Sequence, residues 1–218
     1  MNEPSRGIEI IRQQGQGSLS IRVGGENVST NGKPFDIQLS KQPSYVYLAI
    51  DCSNSMVGYK LEQAKQGIVD FAVEALKHEY RVGLIGFDTE ARLICEPVGD
   101  MQILMPGVKA MRVGGSTNMV KAIKMAHAKL KGLEGARVIV MATDGMPDDA
   151  RATLRAAQQA KDDGIDFIAI GTDDADQRFL SRLATRQELA AMVSSDKFAQ
   201  AIASASNLLP SPRGLVKR

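Results

Sequence analysis

Tyr45-Val46-Tyr47-Leu48-Ala49-Ile50, running without a break into Asp51-Cys52-Ser53-Asn54-Ser55, is the segment from which the rest of this chain can be read. An apolar, β-rich run that ends on an aspartate predicts a parallel strand buried on both faces, delivering a carboxylate to its carboxyl end. The two serines follow at alternate positions, so an extended or looping backbone can turn all three side chains to one side. A second such event lies downstream. Val138-Ile139-Val140-Met141-Ala142-Thr143 enters Asp144-Gly145, and Gly114-Gly115-Ser116-Thr117-Asn118 forms a hydroxyl-bearing loop between the two strands. Asp51, Ser53, Ser55, Thr117 and Asp144 together offer two carboxylates and three hydroxyls. Donors of oxygen alone suit hard cations such as Mg²⁺ and Mn²⁺, with Ca²⁺ a weaker candidate and zinc disfavoured.

Around these segments, strand and helix patterns alternate. Leu61, Ala64, Ile68, Phe71, Ala72, Ala75 and Leu76 keep helical spacing after the first strand. A strand is expected from Arg81 to Phe87, and only Asp88-Thr89-Glu90 separates it from Ala91–Cys95. That separation predicts an antiparallel hairpin at the sheet edge. Residues 100–110 read as a short helix interrupted at Pro106-Gly107, and Asn118–Lys131 as a longer one. A strand over 136–143, a helix over 149–163, a strand over 166–171 and a short helix near 176–184 complete the alternation. Leu189–Val193 is expected as the last strand, and Asp196–Leu209 as one closing helix. The resulting fold class is α/β, a doubly wound, mainly parallel sheet with one antiparallel edge strand and helices on both faces.

Residues 1–44 have another texture. Leu19, Ile21 and Val23 alternate, Asn31-Gly32 is a hairpin signal, and Phe35, Ile37 and Leu39 alternate after it. An N-terminal β extension over 1–44, a main domain over 45–209 and a flexible tail over 210–218 are expected. In an open α/β sheet, ligands gather beyond the carboxyl ends of the strands. Asp51, Asp144 and the Thr117 loop are therefore expected to converge.

Composition narrows the function classes. A net charge of +2 is too near neutral for a polyanionic partner, and 5% aromatics with no Trp leave few stacking platforms, so nucleic acid is an unlikely ligand. No apolar run reaches the ~20 residues of a membrane span. Glu3 and Pro4 in the first residues argue against a secretory leader, and two cysteines in 218 residues suit a reduced compartment. A cytoplasmic protein is expected.

Asp51-x-Ser53-x-Ser55, Thr117 and Asp144, in this order, resemble the metal-ion-dependent adhesion site of the von Willebrand factor type A domain. The likeness runs from about Tyr45 to Leu209 and includes Ile168-Ala169-Ile170-Gly171. Asn54 stands where many relatives have glycine, and Cys52 fills a variable position. The resemblance is to the stand-alone intracellular members of bacteria. It implies one Mg²⁺ or Mn²⁺ held by the five residues, with the coordination sphere completed by an Asp or Glu of a partner protein. Asn54, Met56, Gly115, Ser116, Asn118 and Gly145 are expected to form the partner-binding rim.

Enzymatic readings are weaker. A phosphoryl-accepting Asp51 would need a second aspartate two residues on, where Ser53 stands, or the further acids and lysine of receiver domains. No G-x-S-x-G elbow surrounds Ser53 or Ser55. The glycine pair lacks the lysine of a phosphate-binding loop, and is expected to let Thr117 move. A non-enzymatic interaction module is expected, with a phosphoryl-transfer enzyme and a scaffold carrying a vestigial site as alternatives. Asp148 and Asp149 are expected to cap the following helix. The Asp173, Asp174 and Asp176 cluster reads as a solvated helix start.

Overall fold

The computed structural model describes residues 43–172 and 175–211 in full, and the backbone of 8–11, 20–23 and 26–29. The chain divides into two units, Met1–Ser40 and Lys41–Arg218. In the first, strands β1 (Ile8–Ile11), β2 (Ser20–Val23) and β3 (Glu26–Ser29) form an antiparallel sheet in chain order. The alternation at Ile21 and Val23 falls on β2. The expected Asn31-Gly32 turn and the Phe35–Leu39 strand lie outside the described residues.

The second unit is built on a six-stranded sheet. Its elements are β4 (Ser44–Asp51), α1 (Tyr59–Lys77), β5 (Tyr80–Phe87), β6 (Ala91–Val98), α2 (Met101–Ala110), α3 (Met119–Leu130) and β7 (Arg137–Thr143). They are followed by α4 (Ala150–Asp162), β8 (Asp166–Gly171), α5 (Gln177–Leu183), β9 (Ala190–Met192) and α6 (Phe198–Ser204). The strand order is β6-β5-β4-β7-β8-β9, parallel throughout except for β5 with the edge strand β6. This is the doubly wound arrangement that the alternating pattern implies.

The order fixes where a ligand can bind. From β4 the chain crosses through α1 to β5 on one side, and from β7 it crosses through α4 to β8 on the other. Right-handed crossovers in opposite directions place α1 and α4 on opposite faces of the sheet. They also open a crevice between the carboxyl ends of the adjacent strands β4 and β7, the topological switch point of such sheets.

The core explains why these segments fold as they do. Val46 to Ile50 and Val138 to Ala142 are fully buried, as continuous apolar strands covered on both faces must be. On α1, Leu61, Ala64, Ile68, Phe71, Ala72 and Ala75 form the buried stripe. Helix α1 packs closely on α6 at Gly67, where an added Cβ would lie 2.7 Å from the Ala199 carbonyl oxygen and 2.8 Å from Ile202 Cβ. Gly67→Ala should therefore lower stability by about 2 kcal/mol in a denaturant titration, because overpacking outweighs the helix-propensity gain of at most about 1 kcal/mol. An unchanged midpoint would show that α6 yields freely.

Two expectations are corrected. Helix α2 continues through Pro106 instead of breaking there. The ring removes one backbone hydrogen bond, but Leu104 and Val108, both buried, anchor the helix on either side. The closing helix is not continuous, since α6 is flanked by 3₁₀ turns at Ser195–Lys197 and Ala205–Leu208. At the start of the expected tail, Tyr80 donates a 2.6 Å hydrogen bond to the Pro210 carbonyl. Residues 212–218 lie outside the described residues.

Candidate metal centre at the switch point

Asp51 ends β4 and Asp144 follows β7, so the register of these strands determines how they meet. Ile50 pairs with Ala142, which leaves Asp51 and Thr143 facing each other one residue further on. The Thr143 hydroxyl donates to Asp51 Oδ2 at 2.6 Å, and Asp51 Oδ1 accepts from the Ser53 amide at 2.8 Å. Ser53 Oγ and Ser55 Oγ are 2.9 Å apart, and Ser55 Oγ donates to Asp144 Oδ1 at 2.7 Å. Asp51, Ser53, Ser55 and Asp144 thus form one linked set of oxygens across the crevice. Both aspartates are completely buried and Ser53 is nearly so.

The electrostatics follow from that burial. Desolvation is the main cause that pushes the Asp51 carboxyl up to about 6, opposed by the hydrogen bonds from Thr143 and Ser53 and reinforced by the Asp144 charge. Asp144 is paired with Lys60, whose Nζ donates to Oδ2 at 2.7 Å from the first turn of α1. A lysine ammonium therefore marks a place where positive charge is accommodated beside these oxygens.

The Thr117 loop is held from three directions. The Gly114 amide donates to the Cys52 carbonyl at 2.7 Å, and the Asn54 amide donates to the Gly115 carbonyl at 3.2 Å. From the β5–β6 hairpin, Thr89 Oγ1 accepts from the Ser116 amide at 3.0 Å, and the Asp88 carbonyl accepts from the Asn118 amide at 2.8 Å. From the loop after β7, Asp148 accepts from Ser116 Oγ at 2.8 Å and from the Thr117 amide at 3.1 Å. Its own amide donates to the Thr117 carbonyl at 3.1 Å. The backbone of Thr117 is thereby tied to the loop that carries Asp144, while its neighbours are tied to the loop that carries Ser53.

Several expectations at the rim change. Met56 is fully buried beneath the site and offers no surface to a partner. Asn118 caps α3, accepting from the Lys121 amide at 3.3 Å. Asn54 and Ser116 are exposed, as is Gly115. Gly115 is required by a tight fit, not for looseness: its φ is +68°, and an added Cβ would lie 2.3 Å from Thr89 Oγ1. Asp149 does cap α4, accepting from the Ala152 amide at 2.8 Å, whereas Asp148 clamps the Thr117 loop instead. Asp176 caps α5, accepting from the Phe179 amide at 2.8 Å.

Sequence reasoning passed over Lys60, Thr143 and Met146. Thr143 could have been found by aligning the two strand ends. Lys60 offers no such signal, since its partner lies 84 residues away. Met146 is an exposed large hydrophobic residue, 44% accessible, two positions after Asp144.

The donor set fits a hard divalent ion. Two buried carboxylates are matched by one identified ammonium, and the remaining donors are neutral oxygens. Among the described residues no three His, Cys, Asp or Glu side chains group together, so the hydroxyls are needed to make a cation site here. No described helix is long and apolar enough to cross a membrane.

An open α/β sheet with a cluster of acid and hydroxyl oxygens at its switch point defines a recognised class of domain. The model of the von Willebrand factor type A domain matches residues 46–207, and the chain belongs to that family. Domains of this family are generally metal-dependent protein-interaction or adhesion modules. The human von Willebrand factor A domain-containing protein 3B is 29% identical over 114 residues, which is 50% of this chain and 8% of that protein. The chain thus spans less than a tenth of the length of this curated relative. Among solved structures, the vWF domain of the type V pili tip protein Mfa5 from Porphyromonas gingivalis superposes with a TM-score of 0.70 at 16% identity. The match covers 81% of this chain and 99% of that one. Proximal thread matrix protein 1 from the mussel byssus, solved with a zinc-occupied MIDAS motif, gives a TM-score of 0.63 at 15% identity, covering 80% and 48%.

Proposed function

We propose that Asp51, Ser53, Ser55, Thr117 and Asp144 hold one divalent cation, Mg²⁺ or Mn²⁺ in preference to Ca²⁺, as a complete metal-ion-dependent adhesion site. The protein's role is to capture a partner protein through an Asp or Glu side chain that completes the coordination. The observation that carries this reading is the hydrogen-bonded chain that joins the Asp51 carboxylate to the Ser53 amide and the Ser53 and Ser55 hydroxyls to Asp144. With three of five donors neutral, a bound ion retains net positive character toward an incoming carboxylate. The chain's residues orient the donors and exclude water from two of them, while the ion supplies the attraction for the acid.

An enzymatic role for Asp51 is disfavoured by its surroundings. Its carboxylate oxygens are held by the Ser53 amide and the Thr143 hydroxyl, and Ser53 stands where a phosphoryl-transfer site of this kind needs a second aspartate. We place the protein in the cytoplasm, in keeping with its two free thiols, Cys52 and Cys95.

Calorimetric titration of the wild type with Mg²⁺ and Mn²⁺ should give one site per chain, and Asp51→Ala should abolish the heat. Equal heats from the two proteins would reject the ligand assignment.

A further inference from the structure

Immediately beyond Asp144 and Gly145, the exposed side chain of Met146 begins a groove of about 790 Å³ between α4 and α5. Four arginines line it. Arg151 and Arg155 stand one turn apart on α4, and Arg178 and Arg182 one turn apart on α5. All four are exposed, and among the described residues none has a carboxylate within ion-pairing distance. The one acid lining the groove, Asp176, is engaged in capping α5. Phe179, which is buried, closes the base of the groove.

We infer that this groove binds an extended acidic segment of the partner protein, continuing from the carboxylate captured at the metal centre. The inference rests on the function proposed above. Three features commit it to that occupant. The groove opens two residues from Asp144, within ~7 Å along the chain, so one polypeptide can reach both. Residues one helical turn apart (i, i+4) rise by about 6 Å, while alternate residues of an extended chain are about 6.7 Å apart. Acids at every second position therefore meet the arginine pairs in step. The guanidinium fork matches a carboxylate in two parallel hydrogen bonds, which a lysine ammonium cannot do. A nucleic acid fits less well, because the whole chain carries a net charge of only +2 and 5% aromatics.

The test uses the full chain and a fluorescein-labelled octapeptide of alternating glutamate and serine, read by anisotropy in Mg²⁺. The variants are the pairs Arg151→Gln/Arg155→Gln and Arg178→Gln/Arg182→Gln, each exposed enough to leave the fold intact, with thermal unfolding as the check. Each pair should weaken peptide binding at least tenfold while the calorimetric Mg²⁺ heat stays at the wild-type value. Peptide binding unchanged in both pairs, or matched by a lysine–serine octapeptide, would overturn the inference. So would a labelled oligothymidylate that binds more tightly than the peptide and is lost in the same variants. Loss of the Mg²⁺ heat in the wild type would instead sink the metal reading, and the arginine arm would still report on the groove by itself.

Discussion

Lys60→Met should make the stability of this domain depend on divalent metal. In chelator, the substitution removes the ammonium that lies 2.7 Å from Asp144 Oδ2 and leaves a completely buried carboxylate whose one other side-chain partner among the described residues is the Ser55 hydroxyl. Removing one partner of a fully buried ion pair costs about 3–5 kcal/mol. The Lys60 side chain retains 21% exposure, so a loss of roughly 2–3 kcal/mol is expected. The opposite effect is expected on ion binding. The ammonium opposes a second cation beside the same carboxylate; unit charges 4 Å apart interact by about 4 kcal/mol at an effective dielectric of 20. Solvent and side-chain motion leave part of that, so Mn²⁺ affinity should rise about tenfold. Thermal unfolding in EDTA and in Mn²⁺, with calorimetry alongside, measures both. A melting temperature in EDTA equal to that of the wild type would show that the Lys60–Asp144 pair contributes nothing.

The second large effect concerns Asp51. Its carboxyl is shifted from 3.8 to about 6, chiefly by burial. A raised folded-state value means that the native form holds its proton more tightly than the unfolded chain does. The contribution to stability is therefore fully present below about pH 3.8 and is lost as the pH rises through about 6. Asp51→Asn keeps the shape and removes the charge. With chelator present, it should match the wild type near pH 3.5 and exceed it by roughly 3 kcal/mol above pH 7, two pKa units at 1.36 kcal/mol each. Mg²⁺ at about 1,000 times its Kd should reverse the order, since that excess adds about 4.1 kcal/mol to the protein that binds it. A stability difference between the two proteins that stays flat from pH 3.5 to 7.5 in EDTA would contradict the burial argument.

The fold was legible where the physics is local. Apolar runs ending at Asp51 and Asp144 gave the two central strands, the periodicity of α1 gave its buried stripe, and the three-residue spacer at 88–90 gave the antiparallel edge. What could not be read depended on side chains meeting across the sheet. Met56 shares its short turn with exposed Asn54 and Ser55, and only packing tells them apart. Asp148 and Asp149 are equally good helix caps in sequence, and the extended backbone at Asp149, with φ −135° and ψ 94°, is what assigns the role. Lys60 resembles any helix-surface lysine until β7 brings Asp144 beneath it. Pro106 misled because the packing of Leu104 and Val108 outweighs one missing hydrogen bond.

The three-sided restraint on residues 114–118 has a mechanical consequence. Because the amides of Gly114, Ser116, Thr117 and Asn118 are divided among three neighbouring segments, with Ser116 and Asn118 both on the β5–β6 hairpin, no single tether can be released to set Thr117 free. Any displacement of that threonine drags the β5–β6 hairpin, the Cys52–Asn54 stretch and Asp148 along with it. The loop is thus a shared strut between segments that follow β4, β5 and β7.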